Sequence, residues 1–487
     1  MTSSPHVNRW RAFALLAVAY FMTIVDLTIV NVALPTIGRK LHFSETNLQW
    51  VVTAYALAFG GFLLLGGRAA DLLGRRRILM AGLALFSVAS LACALATSSS
   101  VLIATRALQG LGAAIVLPAA LSIVMNMFEE GAERNKALGI WGGIGASGAT
   151  VGLIAGGLLT RYAGWEYIFV LNVPIGAIAL LLAPRIVPES RLGGARRRFD
   201  LFGAVTGTAG LVVLVDAISQ APQIGWGATR TLVLLAVSAV LLAAFLVGET
   251  RVQAPLLPLG IFRLKTLAGA NAASLLLGAS FFAFIFVGTL YMQQVLGYSA
   301  LQTGLAWLAA SVTSVAFAGL SQLLVTRGSA KMVMVIGMTM IGGGILWATQ
   351  VPTDGHFFHN LLGPFFVTGM GTAFAFIPVS IAALAGVAER EAGLASGLLN
   401  TTQQLGGAIG IAIASSVAAS HYRTLLHTGS SPHAALTGGF QSAFWVLGGL
   451  ALLAVPVIFL LIRRDELASA VARTTIREPR PAMATAD

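Results

Sequence analysis

Residues 66–77 read Gly66-Gly67-Arg68-Ala69-Ala70-Asp71-Leu72-Leu73-Gly74-Arg75-Arg76-Arg77. This short polar stretch separates two apolar runs centred near Ala58 and Phe86. Each run approaches the roughly 20 residues that a helix needs to cross a bilayer. The glycines permit a tight turn between the two helices. Asp71 is placed to accept charge-assisted hydrogen bonds from a guanidinium. Such a latch holds one conformation and releases it in another, so Gly67, Asp71, Gly74 and Arg75 are its candidate parts. Arg76 and Arg77 read more simply as membrane-surface anchors.

The same alternation of apolar runs and short polar stretches fills the chain. Of 487 residues, 57% are hydrophobic and only 10% are charged, against about 25% charged in a soluble domain. No soluble core absorbs so much apolar side chain. The 55 glycines suit helices that approach closely within a membrane. Fourteen apolar runs are centred near Ile24, Ala58, Phe86, Val116, Val151, Ala177, Gly210, Ala239, Phe282, Val312, Met340, Val367, Ile409 and Ala454. The first is long enough to span, so it reads as a retained helix and not a signal peptide.

Charge tests this count. With the N-terminus in the cytoplasm, 24 of the 30 Lys and Arg residues fall in inner segments, five fall outside, and Arg106 lies within a helix. A missed or invented span would flip every later loop and erase the bias. The reading is an all-α membrane protein of 14 transmembrane helices with both termini cytoplasmic. The net charge of +12 then belongs at the membrane surface, not on nucleic acid. Cys93 is the lone cysteine, which excludes a disulfide framework. No metal-ligand spacing and no nucleotide-binding loop occur, so no cofactor is expected.

The basic loop 184–200 follows helix six, and a second inner loop follows helix eight. The expected division is an N-terminal six-helix bundle (1–183), the basic loop (184–200), an inserted helical pair (201–249), a C-terminal six-helix bundle (250–464) and a cytoplasmic tail (465–487). Gly67 with Arg75 recurs faintly as Gly319 with Arg327, although Leu323 replaces the acidic Asp71.

Two ionisable residues inside the membrane point to function, because a charge there costs a few kcal/mol. Asp26 lies in helix one and Arg106 in helix four. At 1.5 Å per residue, Asp26 is about 20 Å up from the inner entry and Arg106 about 8 Å down from the outer one. In a core of about 30 Å these depths nearly coincide, so the two are expected to pair, directly or through water. Burial raises a carboxylate's proton affinity and a guanidinium lowers it. Moving one against the other would couple protonation to conformation; a static buried ion pair fits the same spacing. Helix five carries a small face, Gly148, Gly152, Gly156 and Gly157, suited to close packing. Asn31, Gln109, Phe282, Phe286, Tyr291, Gln294, Asn400 and Gln404 are candidates to line a substrate cavity. Glu166 and Asp216 are candidate outer carboxylates for proton or substrate handling.

These residues resemble a known family. Residues 26–35, the 67–77 loop, Arg106 to Gly110, WEYIFVLNVPIG (165–176), QQVLGYSALQTG (293–304) and GLASGLLNTTQQLGGAIG (393–410) are similar to segments of the major facilitator superfamily. The resemblance is to its 14-helix drug:proton antiporters of the EmrB/QacA type. It implies alternating access between two six-helix bundles, a midplane substrate site, and peripheral seventh and eighth helices. It also implies export of small amphipathic drugs or antibiotics in exchange for protons, by a monomer in the cell membrane with the proton gradient as energy source. Proton-coupled uptake or symport is the alternative within transport. A membrane enzyme would need convergent catalytic groups or a soluble domain that the chain lacks. Two departures stand out: Leu153 follows Gly152 where the family has Pro, and Glu166 follows Trp165 where it has a basic residue.

Overall fold

The computed structural model describes residues 8–44, 47–128, 132–190, 200–252, 255–387, 392–463 and 466–467. Most of the basic loop 184–200 and nearly all of the tail 465–487 lie outside the described residues, as do Arg390 and Arg464. Among the described residues, fourteen helices are long and apolar enough to cross a membrane. They are α1 Arg9–Lys40, α2 Trp50–Leu73, α3 Arg75–Ala94, α4 Ser99–Met127, α5 Lys136–Tyr162, α6 Tyr167–Ile186, α7 Leu201–Ile224, α8 Thr229–Arg251, α9 Lys265–Gln294, α10 Ala300–Arg327, α11 Ala330–Gln350, α12 Phe357–Leu384, α13 Gly393–His427 and α14 Pro432–Leu461. In lipid the backbone must satisfy its own hydrogen bonds, which is why apolar runs of this length become helices.

Local chemistry sets where several helices start. Asn8 accepts from the Trp10 and Arg11 amides to cap α1. Ser98 caps α4, Ser431 caps α14, and Asp200 caps α7 by accepting from Gly203 N at 2.7 Å. Ser299 and Gln302 form a capping box at α10. These side chains satisfy amide groups that the first helical turn leaves unpaired.

Helices α1 to α6 pack among themselves, α1 on α5 and α4 on both α2 and α3, while α9 packs on α13 and α14. The two sets meet where α2 lies on α13 and α5 on α10. Helix α9 is the most enclosed: 78% of its most apolar window is buried, against 11% for α8. The exposed face of α8, including Leu232, Val233, Val237 and Val240, is therefore a lipid-facing surface. Its partner α7 sits between α2 and α13, where Val215 packs with Ala56, Leu57, Ala408 and Ala412. Two polar ties anchor it: Gln49 donates to Ser219, and Arg423 Nη1 donates to the Pro222 carbonyl at 2.6 Å.

The glycines of α5 make the close contacts their spacing suggests. A Cβ on Gly148 would meet Ile24 Cγ2 at 2.9 Å, and one on Gly156 would meet the Ile29 carbonyl at 2.5 Å. On Gly152 it would meet Thr28 Oγ1 at 2.1 Å. Those three face α1, whereas Gly157 faces α10 at Ala300 and Leu301. Leu153 leaves α5 unbroken, and its carbonyl packs against Gly304.

The faint echo of the 66–77 loop takes a different form between α10 and α11. Arg327 is exposed, and Lys331 instead donates to the Phe459 and Ile462 carbonyls at 3.0 and 2.7 Å. A cation thereby satisfies carbonyls at the end of α14.

Candidate functional site

Asp26 and Arg106 meet. Arg106 Nη1 donates to Asp26 Oδ2 at 2.7 Å, and both side chains are fully buried. Close helix approach makes this possible. Gly110, one turn beyond Arg106, lies so near α2 that a Cβ would sit 2.4 Å from the Tyr55 carbonyl. That proximity lets Arg106 Nε donate to the Val51 carbonyl at 2.9 Å. The guanidinium carbon also stands 4.3 Å from the Tyr55 ring centroid and 5.7 Å from that of Phe169, a cation–π arrangement in a desolvated place.

The second carboxylate oxygen is equally well bound. Asp26 Oδ1 accepts from Gln109 Nε2 and from Asn172 Nδ2, each at 2.7 Å. Gln109 Oε1 in turn accepts from Arg106 Nη1 at 2.8 Å. Ser90 Oγ accepts from Gln109 and Asn172 and donates to the Phe169 carbonyl at 2.9 Å. Gln109, expected to line a cavity, is thus a partner of the ion pair. Asn172 and Ser90 complete the cluster; the signal for Asn172 was a single amide within the apolar stretch Tyr167 to Gly176.

Helix α1 presents different chemistry on its other side. Leu27, Thr28 and Asn31 line a small central cavity of about 30 Å³ with Phe282, Gln404 and others. At 3.6 residues per turn, Thr28 and Asn31 point about 160° and 140° away from Asp26. Gln404 is buried, and its Nε2 has no hydrogen-bond partner. A larger cavity of about 700 Å³ lies toward the Arg39 end, lined by Pro35, Arg39, Phe286, Gln294, Ser415 and Tyr422 among others. Gln293 Nε2 donates to the Val32 carbonyl at 2.8 Å and ties α9 to α1 beside it.

The aromatic side chains of α9 take different places. Phe282 and Phe286 reach the two cavities. Phe284 is buried edge-on against Trp307, Phe365 and Phe444. Tyr291 is buried and donates to the Pro352 carbonyl at 2.6 Å, lining neither cavity. Asn400 is exposed and donates to the Ser396 carbonyl. Glu166 sits half-buried beside Gly164, and Asp216 accepts from Gln220 at 2.6 Å. Neither joins the ion pair or the cavities.

At the opposite end, the 66–77 loop is latched. Arg75 donates to Asp71 Oδ1 through Nη2 at 2.8 Å and Nε at 3.1 Å. Its amide donates to the Ser190 carbonyl at 2.9 Å. Arg76 does more than anchor: it donates to the Pro184 and Val187 carbonyls, and its amide donates to Glu189 Oε1. The loop is therefore fastened to the last turn of α6 and the segment after it. Gly67 lies against Pro118 of α4. Gly74 has φ of +112° and ψ of 122°, a conformation essentially closed to side chains. Gly74→Ala is expected to destabilise the protein by about 1–3 kcal/mol and to slow transport. A melting curve matching the parent's would refute this.

Fourteen membrane-length helices among the described residues, with a buried ion pair on one side of α1 and a small cavity on the other, define a multi-pass membrane protein. The family pattern of the Major Facilitator Superfamily matches residues 16–411, and the chain belongs to that superfamily. It is 36% identical to the puromycin resistance protein pur8 of Streptomyces alboniger, covering 98% of this chain and 96% of that one. It is 40% identical to the cephamycin export protein CmcT of Amycolatopsis lactamdurans, over 82% and 83% of the two chains. Among solved structures it resembles an auto-inhibited peptide transporter of the POT family, with TM-score 0.66, 15% identity, and coverage of 98% and 99%. The family and the 14 spans place it in the cell membrane.

Proposed function

We propose that this protein exports small amphipathic molecules of the antibiotic or drug class in exchange for protons, by alternating access. The observation that carries this reading is the two-sidedness of α1. One face holds the Asp26–Arg106 pair, while the other lines the small central cavity and, at Pro35 and Arg39, the cavity of about 700 Å³ that is large enough for a drug-sized molecule. Any rotation or tilt of α1 changes both at once. Proton binding at Asp26 and substrate occupancy are then linked through a rigid element and need no direct contact.

The relatives named for puromycin resistance and cephamycin export supply the substrate class. The 66–77 loop is the cytoplasmic latch in this reading, and both termini are cytoplasmic. The two six-helix sets rock against each other around the cavities, with α7 and α8 as an added pair. In this reading the chain works as a monomer. No cofactor enters; the proton gradient supplies the energy.

The test is purified protein in proteoliposomes with an imposed pH gradient and a panel that includes puromycin and a cephamycin. At least one compound is expected to move against its gradient and to stop when a protonophore collapses the pH difference. Transport indifferent to the gradient would overturn the proton coupling, and no movement of any compound would overturn the export reading.

A further inference from the structure

Outside this cluster, two carboxyls are buried together at the end of the α7–α8 hairpin that adjoins the Gly74 end. Asp200, the N-cap of α7, is 3% exposed, and Glu249, near the end of α8, is 4% exposed. Each has one oxygen satisfied by a backbone amide. Asp200 Oδ1 accepts from Gly203 N at 2.7 Å, and Glu249 Oε2 accepts from Leu257 N at 2.9 Å. The other two oxygens, Asp200 Oδ2 and Glu249 Oε1, have no partner. They converge: a Cβ on Gly203 would lie 2.7 Å from both. Among the described residues, neither carboxyl is paired with a cation. Arg251 on α8, and Arg263 and Lys265 at the entry to α9, are exposed.

Like charges that close, with no cation beside them among the described residues, disfavour double ionisation. An acid facing a carboxylate, by contrast, satisfies both orphan oxygens with one strong O–H···O⁻ bond. We propose that Asp200 and Glu249 hold one proton between them, forming a second protonation site separate from Asp26. The bond ties together the start of α7, the end of α8 and residues 255–258 that lead into α9. Protonated, it is a clasp that holds the two ends of the hairpin to each other and to the segment leading into α9. Deprotonated, it becomes a repulsive contact, so rising pH loosens it.

Amide variants mimic the shared proton. In Glu249→Gln, the amide nitrogen donates to Asp200 Oδ2 while its oxygen still accepts from Leu257 N. In Asp200→Asn, the complementary bond runs to Glu249 Oε1. The experiment uses the full chain carrying Asp26→Asn, so that the first proton site is silent. Melting temperature is read across a pH series, and the carboxylic-acid carbonyl band is read by infrared spectroscopy at neutral pH. The expected result is a melting temperature that falls by several degrees as pH rises, and that Glu249→Gln makes flat over that range. The protonated-carboxyl band is expected to persist in Asp26→Asn and to vanish on adding Glu249→Gln. Should Glu249→Gln fail to fold, Asp200→Asn carries the same test. Parallel pH curves, no carboxylic-acid band at neutral pH, or stabilisation by added magnesium at fixed pH would each overturn the proposal.

Discussion

Asp26→Asn is expected to abolish gradient-driven transport, bringing it down to the rate of protein-free liposomes, while substrate binding survives. The carboxamide keeps the size and planarity of the carboxyl. Its oxygen can still accept from Arg106, Gln109 or Asn172, which surround the site at 2.7 Å. What it cannot do is take up or release a proton. Because Asp26 lines neither cavity, the loss falls on coupling and not on substrate contacts. Equilibrium binding of a transported compound should therefore stay near the parent value, and downhill exchange of that compound should persist. Undiminished uphill transport by Asp26→Asn would remove Asp26 from the proton pathway. Loss of binding together with transport would mean that the residue shapes the cavity instead.

That this pair was legible in the sequence, and its surroundings were not, has a geometric cause. Helix rise is fixed, so counting residues from a membrane boundary gives depth, and depth placed Asp26 beside Arg106. Counting gives no azimuth between helices. Ser90 and Asn172 lie on α3 and α6, and nothing in their local sequence says that those helices turn the two side chains toward α1. The same limit divided the α9 aromatics: Phe282, Phe284 and Phe286 share one apolar run, yet face a cavity, a core and a second cavity. Gln109 lies one helical turn from Arg106 and so on the same side of α4, which is why it meets the ion pair. The spans themselves were readable because apolar length and loop charge are one-dimensional properties. Asp200 and Glu249 escaped for the opposite reason: 49 residues of sequence separate them, and each alone looks like an ordinary charge at a membrane boundary.

Arg106→Ala is expected to destabilise the protein strongly, by about 3–5 kcal/mol, because it leaves the buried Asp26 charge without its cation. It also removes the Val51 carbonyl bond and the contact with the Tyr55 ring. Asp26→Asn should cost less, since Arg106 keeps Val51, Gln109 and the aromatic faces. A neutral pair, Asp26→Asn with Arg106→Gln, has no uncompensated charge. Replacing both partners of a buried ion pair is often close to neutral for stability, so this variant is expected to recover most of the melting temperature lost by Arg106→Ala. Transport separates the two meanings of the pair. If Asp26 and Arg106 served only to hold α1 against α4, the neutral pair would restore transport along with stability. If they couple proton uptake to movement of α1, the neutral pair folds well and stays inert, because position 26 no longer takes up or releases a proton. The coupled outcome is the expected one, and it is measurable as a restored melting temperature with no pH-gradient-driven efflux in the same proteoliposome preparation.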